Sequence, residues 1–273
     1  MHTYLDPAVR KKLVATGKLR RIDAKGRPMD PDAAPEQDNL GINILGAIPL
    51  PVSLGDWQDT FQWHAVVRNT ELGKVEALAD SLREQGGQHL FAEMASSMAV
   101  NSVLIHGDPK TSENPLVRVH SSCLTGDVFG SQRCECGPQL LSALQQIAAH
   151  PGGGVLVYMA GHEGRGIGLW AKAATYLLQD EGEDTYQANR SLGLPDDSRD
   201  FSVAAALLLD FVGNKPFQLM TNNPKKIDDL RTAGLTEFTP QKHVVGVSDW
   251  NRRYLASKQE RGHRIPKADL EEN

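Results

Sequence analysis

The stretch that most constrains this chain is RVHSSCLTGDVFGSQRCECG, residues 118–137, which holds all three of its cysteines. Cys123, Cys134 and Cys136 are spaced C-x10-C-x-C. Scattered cysteines behave as small buried hydrophobes, but three within fourteen residues point to one shared task. A disulfide framework calls for an even number and a secreted setting. A soft metal ion fits better, zinc above all. Structural zinc sites are closed by four protein ligands, whereas catalytic sites keep a position for water. Three thiols therefore read as a catalytic site. The alternative is that His120 closes the set as a fourth ligand and makes it structural.

The rest of the 273-residue chain is ordinary in composition, with 40% hydrophobic and 23% charged residues, long enough for a real core. No run approaches the apolar length of a membrane helix, and MHTYLDPAVRKK has no signal-peptide apolar region. These features and the free thiols predict a cytoplasmic protein with no membrane partner. A net charge of −5 offers no global field for nucleic acid, so an anionic ligand would need a local basic site.

The patterning predicts an N-terminal extension over 1–45, a core domain over 46–250 and a C-terminal helix and tail over 251–273. Within 1–45 a short basic helix precedes GRPMDPDAAPEQDN, which reads as linker or loop. Strands are expected over 42–52, 60–67, 102–108, 116–122, 154–159, 217–220 and 243–247. Apolar spacing predicts helices over 138–150, 169–182, 201–213 and 250–263. A helical insertion is expected over about 70–100, as helices 70–84 and 89–100. The last helix is basic and reads as a solvated face. Strand and helix alternate from 102 onward, which argues for an α/β fold with a mixed sheet and flanking helices.

SSCLTGDVFGSQRCECGPQL resembles the zinc segment of GTP cyclohydrolase II. The resemblance continues through HEGRGIGL (162–169), QDEGEDTYQANRSLGL (179–194), DSRDF (197–201) and LMTNNPKK (219–226), covering about residues 100 to 240 in order and at similar spacing. It implies a zinc-dependent hydrolase that opens the imidazole ring of GTP and releases formate and, in the full reaction, pyrophosphate. It also implies a homodimer, and Mg2+ carried with the triphosphate. Zinc falls to Cys123, Cys134 and Cys136. Glu163, Tyr176, Asp197 and Arg199 are the implied catalytic residues. GTP or a related purine nucleotide falls to Arg118, His120, Ser121, Gln139, Glu163, Gly164, Arg165, Thr185, Thr221 and Lys226.

The residues themselves support part of this. Arg118, Arg165, Lys225 and Lys226 lie at strand ends, glycine-rich loops or helix starts, where phosphates are usually held. Arginine is effectively never deprotonated, so a charge-stabilising role suits Arg199 better than nucleophilic attack. Taken singly, Tyr176 is as well explained by core packing, and Glu163 and the DDSRD run by solvated loops. The chain departs from the family pattern at Ser122, where glutamate is usual, and at Gly161–His162, where Arg-Gln is usual. His162 is then the nearest titratable group to replace the missing base. Two readings compete with the GTP hydrolase: a divergent paralogue with another product, for instance in pyrimidine catabolism, or a non-catalytic zinc-stabilised nucleotide-binding protein.

Overall fold

The computed structural model describes residues 7–32, 41–72 and 98–271. Among these, one sheet of nine strands organises the chain. The strands are β1 (Leu19–Ile22), β2 (Pro28–Met29), β3 (Ile42–Leu54), β4 (Trp57–Arg68), β5 (Asn101–His106), β6 (Leu116–Ser121), β7 (Gly154–Met159), β8 (Phe217–Met220) and β9 (Phe238–Gln241). Their order is β2-β1-β3-β4-β5-β7-β6-β8-β9. From β2 to β7 neighbouring strands are antiparallel. From β7 through β6 and β8 to β9 they are parallel. The fold is thus α/β with a mixed sheet and flanking helices, as the alternation of elements predicts.

The parallel half needs crossovers, and the helices supply them: α2 (Cys136–Ala149) between β6 and β7, and α3 (Gly168–Asp180), α4 (Thr185–Ser191) and α5 (Ser202–Phe211) between β7 and β8. The segment α6 (Pro224–Thr232) leads from β8 to β9, α1 (Pro7–Ala15) opens the described chain, and α7 (Arg252–Glu260) and α8 (Lys267–Glu271) close it. Side chains alternate along each strand, so each face of the sheet takes a different partner. Val117, Val119, Val155 and Val157 pack with Val203 to Leu208 of α5 and Ile227 of α6. Leu116, Leu156 and Met220 pack with Ala143, Leu144 and Ile147 of α2 on the other face. The α5 segment VAAALL, residues 203–208, is buried on every side, as its lack of polar residues requires.

Several expectations change. Residues 19–29, expected as the end of a basic helix and the start of a linker, form an antiparallel hairpin that extends the sheet. No strand forms over 243–247. There the backbone of His243 is taken by side chains: its N–H donates to Asn222 Oδ1 (2.9 Å), and its carbonyl accepts from Asn222 Nδ2 (2.7 Å) and Gln139 Nε2 (3.1 Å). A backbone satisfied in this way has no need of a ladder. The expected helices over 70–84 and 89–100 lie, apart from 70–72 and 98–100, outside the described residues.

The topology brings the carboxyl ends of β6, β7 and β8 to one edge. In open α/β sheets that edge is where ligands bind, and the segments leaving it hold the cysteines, the glycine-rich loop and TNNPKK. Leu208 is fully buried at the centre of this frame. Leu208→Ala is expected to cost about 2–5 kcal/mol, read as a lower urea midpoint; an unchanged midpoint would show that α5 does not anchor the parallel half.

Candidate active site

The chain leaves β6 at Ser121 and turns through one wide helical turn, Leu124–Val128, before reaching the start of α2. That turn stacks Cys123 against Cys134 and Cys136, so that the three sulfur atoms lie within 4.8 Å of one another, with Cys123 and Cys134 at 3.6 Å. Zinc–sulfur bonds of about 2.3 Å in tetrahedral array put sulfurs about 3.8 Å apart, so the spacing suits that ion. Glycine makes the approach possible. A Cβ on Gly126 would sit 3.0 Å from the Cys134 sulfur and 3.2 Å from that of Cys123, and one on Gly137 would sit 2.3 Å from the Gly126 carbonyl oxygen.

His120 does not close the set. Its Nε2 faces Asp127 at 3.1 Å, and its ring stacks on Tyr158. Asp127 is buried and also accepts from the Cys123 N–H (3.0 Å) and the Tyr158 hydroxyl (2.9 Å), which braces the turn from within. On the other side the Lys172 ammonium, from α3, donates to the Cys123 sulfur (3.1 Å), Thr125 Oγ1 (3.0 Å) and Glu163 Oε1 (2.7 Å). Burial works against that charge, but the Glu163 carboxylate and the Cys123 sulfur outweigh it and raise the Lys172 pKa. Hydrogen bonds from the other two cysteines lower the Cys123 pKa, and the contact with Cys123 pushes Cys134 up to about 12. All three sulfurs become thiolates only around a cation, and zinc would supply it.

After β7 the loop Ala160–Gly166 carries Glu163 and Arg165. Glu163 Oε2 accepts from the Leu124 N–H at 2.7 Å, tying this loop to the cysteine turn. Arg165 is the one described non-glycine residue with positive φ, at +64°. Such a conformation is strained for a side chain with a Cβ, and Gly164 and Gly166, at +60° and +88°, carry the chain through it. The Arg165 carbonyl then accepts from the Ser198 N–H (3.1 Å), fastening this loop to DSRDF.

These segments line a solvent-open cleft with an empty volume of about 1140 Å3. Seven basic residues line it (Arg118, Arg133, Arg165, Lys172, Arg199, Lys226 and Lys258) against two acidic ones, Glu135 and Glu163. A chain of net charge −5 has therefore concentrated cations in one place. Buried Lys226 donates to the Val119 carbonyl at 2.6 Å and has no carboxylate partner among the described residues. Burial first, then the Arg118 and Arg199 charges, force its pKa far down. Arg118 donates to the Met220 carbonyl and Gln139 Oε1, while its Nε has no partner and burial pushes its pKa down to about 10. Neither terminal nitrogen of Arg165 has a partner among the described residues. Unpaired buried cations are costly, and an anionic ligand would relieve all three.

The other expected residues divide. Ser121, Thr185 and Thr221 line the cleft, as do Gly164, Gln139 and Tyr176. Gln139, though, is spent at both ends, on Arg118 and on the His243 carbonyl. The Tyr176 hydroxyl lies 3.3 Å from Thr125 Oγ1, and burial raises its pKa. Asp197 grips Arg199 in a fork, through Nε at 2.9 Å and a terminal nitrogen at 2.5 Å. Burial opposes the Asp197 charge, but the Arg199 contacts prevail and lower its pKa. Lys225 turns away to Asp229 and the Arg199 carbonyl, because adjacent positions on a helix face different ways. Ser122 donates its hydroxyl to the Ala160 carbonyl at 2.8 Å.

His162 is held at both ring nitrogens. Its Nε2 meets the Asp200 carbonyl at 3.0 Å, its Nδ1 meets the Ser121 hydroxyl at 3.2 Å, and its ring packs on Phe201. Burial, then the Arg199 charge, lowers its pKa to about 4.

A sequence profile of the GTP cyclohydrolase II family matches residues 83–239. The chain belongs to that family. It is 49% identical to GTP cyclohydrolase-2 of Streptomyces coelicolor over 167 residues, which cover 61% of this chain and 74% of that protein. It is also 49% identical to the riboflavin biosynthesis protein RibBA of Mycobacteroides abscessus over 170 residues, 62% of this chain and 40% of that protein. Against RibBA of Nocardia farcinica the identity is 50% over 161 residues, 59% of this chain and 38% of that protein. The chain thus spans less than half the length of these two RibBA relatives.

Sequence reasoning missed several residues around this family site. Lys172 sits on a helix read for its apolar spacing alone, and Tyr186 lay inside a motif without an assigned task. Asp127 lay inside the cysteine motif without an assigned task. Tyr254, Lys258 and His263 come from the supposed solvated tail yet line the cleft. The one available signal was the mixture of aromatic and basic residues in WNRRYLASKQERGH.

Gly126→Ala is expected to displace the cysteines and lower zinc content well below one equivalent per chain, measured by metal analysis of the folded protein. Full zinc occupancy in that variant would mean that the turn can yield without loss. Acid should weaken the fold. His64, His162 and His243 are all held neutral, each with its pKa lowered to about 4 and burial as the leading cause. The unfolded chain binds those protons below about pH 6.5, so stability is complete above that pH and falls toward pH 4. Denaturant midpoints that stay flat between pH 7 and 4.5 would contradict this account.

Proposed function

We propose that the chain hydrolyses GTP, opening the guanine imidazole ring with loss of formate and, in the full reaction, of pyrophosphate, to leave 2,5-diamino-6-ribosylamino-pyrimidinone 5′-phosphate. The observation that carries this reading is a single cleft that holds both a three-thiol cluster and buried cations without carboxylate partners. One half suits hydrolysis and the other suits a polyphosphate, and a nucleoside triphosphate presents both demands. Cys123, Cys134 and Cys136 would hold zinc, which when bound lowers the pKa of water toward neutrality and supplies the hydrolytic nucleophile.

The chain's own groups take the remaining roles in this reading. Arg165 and Lys226 bind phosphate oxygens, with Mg2+ accompanying the triphosphate. Arg199, oriented by Asp197, stabilises charge at the phosphorus from which pyrophosphate departs. Thr185, Thr221, Ser121 and the Gly164 backbone provide hydrogen bonds to the nucleotide, with Arg118, His120 and Gln139 lining the same wall. Glu163, paired with Lys172, fixes the loop beside the cysteines, and the protonated Tyr176 hydroxyl offers a donor there. A homodimer in a reducing cytoplasm completes the proposal.

A second reading rests on Ser122. Its hydroxyl is committed to a backbone carbonyl, so it brings no carboxylate to the cleft, and a family member that binds GTP but yields another product fits this difference. Incubation with GTP, Zn2+ and Mg2+ followed by mass spectrometry separates the two. Loss of both formate and pyrophosphate supports the first reading, loss of only one supports the second, and unchanged GTP refutes both.

Arg165→Ala and Lys226→Ala should each weaken GTP binding by about 10- to 150-fold, the equivalent of a charge-assisted hydrogen bond of about 1.5–3 kcal/mol, and leave guanosine binding nearly unchanged. Calorimetry on both ligands checks this; equal losses on both would place these residues away from the phosphates.

A further inference from the structure

Helix α7 approaches the glycine-rich loop through a stack of alternating charges and rings. The Arg165 guanidinium lies 4.1 Å from the centre of the Tyr186 ring and 5.7 Å from that of Tyr254. Tyr186 comes from α4 and Tyr254 from α7. The stack continues outward with Arg261, 4.7 Å from the Tyr186 ring. It continues inward with Lys258, 4.3 Å from the Tyr254 ring and ion-paired at 2.5 Å to Glu135, the residue between two of the cysteines.

Arginine is usually fixed by carboxylates, which consume its N–H donors. Ring faces fix it differently, since they attract the cation and leave its in-plane donors unspent. The result is visible here: Arg165 is held, yet both terminal nitrogens are buried and without hydrogen-bond partners among the described residues. Its backbone is also pinned at φ +64°, a conformation that fixes where the side chain departs.

We propose that Tyr186 and Tyr254 are positioning residues that clamp Arg165 as a two-pronged receptor for a phosphate group, so that the C-terminal helix is part of the polyphosphate site. This rests on the reading of the cleft as a nucleoside triphosphate site. The tyrosines act through Arg165 and touch no reacting atom. In this clamp the ring face does the holding, so phenylalanine should substitute and an apolar chain without a ring should not.

The test uses the full-length, zinc-loaded protein with inorganic tripolyphosphate and guanosine as separate calorimetric probes. Tyr254→Met, which fills space without a ring, is expected to weaken tripolyphosphate binding about 3- to 30-fold, the range of a desolvated cation–ring contact. Guanosine affinity, zinc content and the thermal midpoint should stay near the wild-type values. Tyr254→Phe should bind tripolyphosphate as the wild type does. In an Arg165→Ala background, Tyr254→Met should have no further effect. Tyr186→Met tests the other ring and should behave like Tyr254→Met, which keeps the test open if one variant does not fold. Wild-type affinity in both Met variants, equal losses in the Met and Phe variants, or a full extra loss in the Arg165→Ala background would each overturn the clamp. Failure of the function reading looks different: no product from GTP, while the Met variants still lose tripolyphosphate binding and so uphold the clamp.

Discussion

Three sulfurs drawn together beside a basic cleft wall govern this structure. Three sulfurs lie within 4.8 Å, and opposite them the cleft gathers seven basic side chains against two acidic ones. Neither group is comfortable alone: thiolates need a cation, and buried cations need an anion. The fold supports both with neutral scaffolding. Gly126 and Gly137 give the sulfurs room, Asp127 braces the turn that carries Cys123, and backbone carbonyls of Val119 and Met220 receive Lys226 and Arg118. Such a site is organised for what it binds, and part of its folding stability is held in reserve for ligand and metal.

Communication between the two halves runs through few residues. Glu163 is the central one, since one oxygen caps the cysteine turn at Leu124 and the other meets Lys172, whose ammonium also reaches the Cys123 sulfur. Glu135 does the same at the far side, joining the start of α2 to Lys258 of α7. Both carboxylates in the cleft are therefore structural ties, and neither neutralises Lys226, Arg118 or Arg165. This division keeps the basic wall available while the cysteine turn stays in register with it.

The departures from the family pattern take on a physical meaning in this setting. Ser122 and His162 are both engaged in hydrogen bonds between segments. Ser122 is bonded to the Ala160 carbonyl and His162 to the Asp200 carbonyl and Ser121. Together they sew the end of β6 to the loop after β7 and to the segment before α5. At these positions hydrogen bonds between segments do the holding.

The sequence by itself determined the alternation of strands and helices from residue 102, the buried character of α5, and the cysteine set. It did so because hydrophobic periodicity, apolar runs and C-x10-C-x-C spacing are local signals. It also singled out Arg165, because an arginine among glycines is legible without coordinates. Only the tertiary structure decided which cations face the cleft: Lys226 points in and Lys225 points out, although they are neighbours in sequence. It decided that His120 serves Asp127 rather than a metal, that residues 243–247 give up a strand for side-chain hydrogen bonds, and that Tyr254 and Lys258 belong to the site. Each of these depends on contacts between segments far apart in the chain: about a hundred residues separate Gln139 from His243, and more than a hundred separate Glu135 from Lys258. Local propensity carries no information about such meetings, because burial and charge pairing are properties of the assembled sheet edge and not of the segments that reach it.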